Sequence, residues 1–129
     1  MHRRSVGFPS EGIVLILLAT GVLLVLLGFA HSILGETGLL GKILRENEER
    51  PVGRLAWHVW SLSYIAMGAL VIFWSQQSPL SDDAIIAIRA FSAVFAGATI
   101  LAFGCIHSKF HPSMVLFPAL AGLLWWGTV

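Results

Sequence analysis

Long uninterrupted apolar runs dominate the pattern of hydrophobic and polar positions along the 129-residue chain. A bilayer-spanning helix needs roughly 20 apolar residues, with a tolerated range of about 17–25. Four runs qualify, at about 12–34, 52–74, 83–107 and 112–128, and the last is short. They lack a strand's period of two, and backbone in lipid must pair internally. The pattern therefore predicts an all-α integral membrane four-helix bundle, a single transmembrane domain over residues 1–129.

Capping residues and connections predict how these helices are joined. Gly35 is expected to cap the first helix at its C-terminal end, and Pro51 stands at the start of the second. Short connections make consecutive helices antiparallel neighbours. The longer connection between the first two helices carries apolar residues at helical spacing, which predicts a short amphipathic interfacial helix. Those residues are Leu39, Leu40, Ile43 and Leu44.

An internal repeat suggests that the chain consists of two related halves. GVLLVLLGFAHS at residues 21–32 and GATILAFGCIHS at residues 97–108 share two glycines and a His-Ser pair at the same spacing. This repeat predicts two tandem antiparallel helical hairpins related by an axis along the membrane normal. Each repeat would place its glycines on one helix face, and small residues let helices approach closely. Both glycine faces are therefore expected to pack into the bundle.

Composition strengthens the membrane interpretation and limits the partners. Hydrophobic residues make up 57% of the chain and charged residues 12%, whereas about 25% is usual for charged residues in soluble domains. The formal net charge of +1 offers no basic field for nucleic acid. The expected partners are the lipid bilayer and a membrane protein or a second copy of the chain. A single cysteine, Cys105, excludes an intrachain disulfide.

Histidines are the candidate functional residues, because four of them lie near the ends of predicted helices. Antiparallel hairpins would bring these four to one membrane face, with an acidic side chain at the same level. Neutral imidazole is a good ligand for iron, copper and zinc, and helix bundles commonly hold metals between facing helices. The predicted metal ligands are His31, His58, His107, His111 and Glu36.

A haem b is the other cofactor that this pattern suggests. His31 and His107 occupy equivalent places in the repeat, so they would face each other and could bind one haem iron from two sides. Gly28 and Gly104, one turn away from them, would leave room for the macrocycle. The simpler alternative is that these histidines only bond free carbonyls at helix ends.

Three classes of function remain open at this point. A bound metal or haem would suit redox chemistry or electron transfer. Without a cofactor, the glycine faces would suit an accessory or assembly subunit of a larger membrane complex. A small oligomeric transporter is the third class. Its support is Arg89, which lies inside a span without an obvious partner there. The simpler expectation is that Arg89 reaches toward Asp82 or Asp83, or pairs with Glu11. No nucleophile–base pair is evident, so no catalytic residue is predicted.

Two sequence strings resemble motifs of a known group of proteins. HSILGE at residues 31–36 and RLAWHVWSL at residues 54–62 are similar to the HSxLGE and AWH motifs of small bacterial inner-membrane proteins. Those proteins have about four spans and no assigned activity. The resemblance covers the first two helices and their connection. It implies a multi-pass location in the bacterial inner (cell) membrane, and it implies that His31, Glu36 and His58 belong to one functional group.

Overall fold

The computed structural model describes residues 11–37, 50–77, 79–105 and 113–129. Within these ranges the chain forms four helices and no strand, which confirms the all-helical prediction. The helices are α1 (Glu11–Thr37), α2 (Arg50–Ser75), α3 (Asp82–Cys105) and α4 (Ser113–Trp126). The interfacial helix expected around Leu39–Leu44 and the histidines His107 and His111 lie outside the described residues.

Three of the four helices are long and apolar enough to cross a membrane, over Glu11–Gly35, Leu55–Ser75 and Asp82–Leu101. α4 is apolar but has 14 residues. At about 1.5 Å per residue such a helix is roughly 21 Å long, which is less than the hydrocarbon thickness of about 30 Å. By length, three of the four expected spans are therefore supported, and α4 is a shorter apolar helix.

α1 continues past the glycine that was expected to end it. The prediction of Gly35 as a C-terminal cap is wrong, because the helix runs on to Thr37. Gly35 is buried, and a Cβ atom at this position would collide with the indole ring of Trp57. This glycine is therefore explained by a close approach of α2 rather than by the end of α1.

The chain divides into two compact units, one of which is Gly21–Ile72. In this unit α1 and α2 are antiparallel, since Gly21 lies against Ile72 and Gly28 lies against Ile65. Buried positions recur every three or four residues on both helices, so one face of each helix is turned to the other. They are Gly21, Leu24, Gly28 and Gly35 on α1, and Ser61, Tyr64, Gly68 and Val71 on α2.

Glycine brings the two backbones of this unit into direct contact. A Cβ atom at Gly28 would lie 2.7 Å from the carbonyl oxygen of Ser61, and one at Gly68 would lie 2.6 Å from that of Gly21. Real Cβ atoms do not approach a carbonyl oxygen so closely. Any side chain at these positions would have to push the helices apart, as is typical of close helix packing through small residues.

The second unit joins the chain before Gly21 to the chain after Ile72. Here α3 packs against α4 through larger side chains, and the rings of Phe95 and Phe117 have centroids 5.9 Å apart. The hydroxyl of Ser92 donates a 2.7 Å hydrogen bond to the carbonyl of Ala121. The buried side chains of the pair include Ala84, Ile88, Phe95, Leu120 and Leu124.

The two halves of the sequence repeat have different surroundings. Leu24 is 0% exposed, whereas its counterpart Ile100 is 72% exposed. A Cβ atom at Gly21 would meet α2, whereas one at Gly97 would meet nothing within 4 Å. The expectation that both glycine faces pack is therefore wrong for Gly97. α3 buries the stripe that contains Ile88 and Phe95, and Gly97 and Ile100 lie on the opposite side of that helix.

Arg89 is bound at the end of α4. Its Nε donates to Thr128 Oγ1 at 3.1 Å, and its Nη2 donates to the Thr128 carbonyl at 3.2 Å. The guanidinium carbon lies 5.1 Å from the centre of the Trp125 ring. The expected partners Asp82, Asp83 and Glu11 are thus replaced by Thr128. The last carbonyls of a helix lack intrahelical partners and form its negative end, so a cation is favourable there.

Candidate functional site

A cluster of six residues joins α1 to α2 within the Gly21–Ile72 unit, and we call it the histidine–serine cluster. It contains two reciprocal hydrogen bonds. His31 Nδ1 lies 3.0 Å from Ser61 Oγ, and Ser32 Oγ lies 3.0 Å from His58 Nδ1. Each helix therefore supplies one imidazole and one hydroxyl. The members are His31, Ser32 and Gly35 of α1, and Trp57, His58 and Ser61 of α2.

Trp57 holds the ring and the backbone of His31 at the same time. Its indole stacks on the imidazole, with centroids 3.9 Å apart and planes 9° from parallel. Its Nε1 donates a 2.7 Å hydrogen bond to the His31 carbonyl. The ring of Tyr64 meets the imidazole edge-on, with centroids 5.8 Å apart. Stacking, an edge contact and the bond to Ser61 together fix the orientation of the His31 ring.

Gly35 makes the approach of this indole to α1 sterically feasible. In a helix the carbonyl of His31 points toward residue 35, four positions later. Because Gly35 has no side chain, the indole of Trp57 can reach that carbonyl as a second donor. The structure describes three features of the HSILGE and AWH strings: the His-Ser pair, the glycine and the Trp-His pair. All three therefore meet in one contact between α1 and α2.

Two of the five predicted metal ligands can be located. His31 and His58 belong to the cluster, and both are half-buried. Glu36 lies in the last turn of α1, but its side chain is outside the described part of the structure, as are His107 and His111. Within the described ranges no group of three or more histidine, cysteine or acidic residues is placed to hold a metal ion. The full ligand set therefore stays a prediction.

The residues expected beside a haem are only partly described. Gly28 is in contact with α2, where Ile65 and the Ser61 carbonyl occupy the space next to it. The room expected there for a macrocycle is thus filled by the neighbouring helix. Gly104 lies near the end of α3, and its surroundings are outside the described residues, as is His107.

Sequence reasoning missed the serines, which determine the geometry of the cluster. Ser61 is 3% exposed and lies one turn after His58 on the same side of α2. A hydroxyl spaced three residues from an end-of-helix histidine is the signal that could have revealed it. The sequence signal for Ser32 was its place in the repeated His-Ser pair. The reciprocal pairing depends on the antiparallel register of α1 and α2.

The two histidine–serine contacts have the length of a nucleophile–base hydrogen bond, although the sequence suggested no such pair. Acyl transfer also needs donors aimed at a developing oxyanion. Ser32 and Ser61 both lie within helices, where backbone N–H groups are already bonded to the preceding turn. The arrangement therefore suits binding through Nε2 of His31 better than nucleophilic catalysis.

Comparisons of the chain with protein-family models, with curated proteins and with solved structures found no match. The resemblance of the HSILGE and RLAWHVWSL strings to small inner-membrane proteins stays a prediction.

Proposed function

We propose that this chain is a multi-pass protein of the bacterial inner membrane that binds a transition metal through a histidine layer near one membrane face, for redox chemistry or electron transfer. The observation that supports it most directly is the histidine–serine cluster. It holds two imidazoles on neighbouring helices, each anchored through Nδ1 by a serine hydroxyl.

The apolar surface of the long helices supports a location in the bilayer. Leu15 and Leu26 of α1 are 65% and 60% exposed, and Ile86 of α3 is 66% exposed. Only 22% to 28% of the most apolar window of each long helix is buried. Water would be a poor solvent for so much contiguous apolar surface, whereas lipid tails match it.

The polar groups of the helices also fit a lipid environment. In the described part of the chain, no buried side-chain nitrogen or oxygen atom lacks a hydrogen-bond partner. Thr20 donates to the carbonyl of Ile16, and Thr99 donates to that of Phe95, each one turn earlier. Such internal bonding is required where no water can substitute.

Anchored imidazoles support the metal-binding part of the proposal. Histidines that bind metals usually have their other ring nitrogen hydrogen-bonded to a protein group, which orients the ligand. His31 and His58 both have such a partner at Nδ1. His107, His111 and Glu36 would complete a set of nitrogen and oxygen ligands suited to iron, copper or zinc. The filled space beside Gly28 favours a metal ion over haem b.

Metal analysis of the purified protein tests this proposal. We expect the detergent-solubilised chain to retain a stoichiometric metal by elemental analysis, and His31→Ala and His58→Ala to lose it. Ser63→Ala is the matched control, because among the described residues Ser63 bonds only the carbonyl of Val59 on its own helix. Circular dichroism should show that all variants keep their helical content.

The absorption spectrum of the same samples separates the alternatives. An intense Soret band would identify haem b as the form in which the metal is held. A colourless and metal-free wild type, prepared without chelators, would exclude the proposal. If that metal-free chain purified in fixed stoichiometry with a membrane complex, the accessory-subunit class would replace it. Substrate uptake by liposomes containing the metal-free chain would favour the transporter class.

A further inference from the structure

We infer that Ser61 is a positioning residue that fixes the tautomer of His31, with the proton on Nδ1, so that Nε2 presents the lone pair. The metal-binding consequence rests on the proposed function. The tautomer itself is a property of the metal-free protein and can be measured separately.

The Ser61 hydroxyl has a single proton and two neighbouring groups that could accept it. Ser61 Oγ lies 3.1 Å from the carbonyl oxygen of Trp57 and 3.0 Å from Nδ1 of His31. A carbonyl oxygen only accepts hydrogen bonds, whereas a hydroxyl has one proton to donate and two lone pairs. The hydroxyl proton therefore belongs to the contact with the Trp57 carbonyl, and a lone pair of Oγ is left to face Nδ1.

Nδ1 must then be the donor in the second contact. A neutral imidazole has one N–H group, so a proton on Nδ1 leaves Nε2 as an acceptor. If the hydroxyl proton pointed to Nδ1 instead, Oγ and the Trp57 carbonyl oxygen would face each other as two acceptors. Ser61 is 3% exposed, so water is poorly placed to relieve that repulsion. Burial thus makes one of the two arrangements much more favourable.

The serine of the other pair is not directed in this way. Ser32 Oγ lies 3.0 Å from His58 Nδ1, and it has no second hydrogen bond within the described ranges. Either partner can therefore donate, and Ser32 does not determine which nitrogen of His58 carries the proton. The two pairs look alike by distance, but the serine of the His31 pair is directed by a third group, the Trp57 carbonyl.

A fixed tautomer matters because a metal binds the nitrogen that has no proton. A histidine held with its proton on Nδ1 offers Nε2 without rearrangement, and the hydrogen bond at Nδ1 also raises its basicity. Loss of such a partner usually weakens metal binding by about 10- to 100-fold. We therefore expect Ser61 to set the affinity of the metal site, although Ser61 does not itself touch the metal.

Nitrogen NMR of the metal-free chain tests the tautomer. Histidine labelled with ¹⁵N reports through two-bond proton–nitrogen correlations which nitrogen is protonated, at about pH 8.5, where an ordinary histidine is neutral. We expect His31 to be protonated on Nδ1 in the wild type and in Ser61→Thr, which keeps the hydroxyl. In Ser61→Ala we expect the signal to shift toward the Nε2-protonated form. Ser32→Ala is the matched control and should leave His31 unchanged.

Two NMR results would overturn the inference. One is a wild-type His31 that carries its proton on Nε2. The other is a Ser61→Ala variant in which His31 still carries its proton on Nδ1, because the tautomer would then be set without Ser61. The NMR result does not depend on whether any metal binds.

Titration of the metal-free chain with Zn²⁺ tests the metal-binding consequence. We expect Ser61→Ala to raise the dissociation constant for Zn²⁺ about 10- to 100-fold, and Ser61→Thr to restore most of the affinity. An unchanged affinity in Ser61→Ala, together with a changed tautomer, would contradict the positioning role. A wild type that binds no Zn²⁺, iron or copper would instead remove the proposed function, and the tautomer would still be judged from the nitrogen signals alone.

Discussion

The α1–α2 pair and the α3–α4 pair are both antiparallel, yet different kinds of residues hold them together. In α1–α2, glycines at positions 21, 28 and 68 bring one backbone against the other. In α3–α4, the rings of Phe95 and Phe117 fill the space between the helices. One contact depends on the absence of side chains, and the other depends on their volume.

This difference explains why a cluster of polar side chains joins α1 to α2 in the described part of the chain. When two helices approach through glycine, side chains as short as serine can reach the other helix, and larger ones can reach its backbone. Hence the His31 ring meets Ser61, and the indole of Trp57 reaches the carbonyl of His31. The aromatic contact of α3–α4 is accompanied by a hydroxyl-to-carbonyl bond from Ser92 to Ala121, and Arg89 binds Thr128 beyond the end of α4. Close backbone packing is therefore the condition for the histidine–serine cluster.

The largest effect is expected from removing aromatic volume in α3–α4. Phe95 is 1% exposed, and Phe95→Ala should lower the free energy of unfolding by about 3–5 kcal/mol, because the cavity would refill only partly. Reversible unfolding in mixed detergent and SDS micelles measures this change. Phe73→Ala is the control, since Phe73 is 59% exposed and should change the stability little. Equal losses in both variants would contradict the view that Phe95 fills a core.

Adding side-chain volume, rather than removing it, should destabilise the contact between α1 and α2. Gly21→Ala places a methyl group 2.9 Å from the Gly68 carbonyl oxygen and should cost about 1–3 kcal/mol through overpacking. Its match is Gly97→Ala, where a Cβ atom meets nothing within 4 Å. There alanine should raise stability by up to about 1 kcal/mol, because it favours helix more than glycine does. If both alanines acted in the same direction, the two glycines of the repeat would be equivalent after all.

The smallest effect is expected at the end of α4. Arg89→Gln removes the charge that Thr128 holds near the negative end of α4, and it should lower the free energy of unfolding by about 0.3–1 kcal/mol. The tryptophan fluorescence of the variant should also shift, because Arg89 lies over the ring of Trp125. A loss well above this range would show that Arg89 has a role other than capping α4.

Helix content and the approximate helix ends could be predicted from the sequence, because long apolar runs and flanking polar residues are local properties. The predicted spans at 12–34, 52–74 and 83–107 end within a few residues of α1, α2 and α3. The placement of His31 and His58 at one level also followed from antiparallel helices with a single connection. The role of Gly35 could not be predicted from its neighbours in the sequence. A glycine near a helix end can either cap the helix or allow another helix to approach closely.

The sequence by itself therefore determined that this chain forms apolar helices with histidines near their ends. Only the tertiary structure decided which helix faces pack, and it separated Gly21 from Gly97 although the two repeats read alike. It also paired Arg89 with Thr128 and His31 with Ser61, partners 39 and 30 residues apart in the chain. Such pairs depend on the register between helices, and that register is set by shape and volume across the whole contact. The histidine–serine cluster is the place where this register turns two short motifs into one candidate binding site.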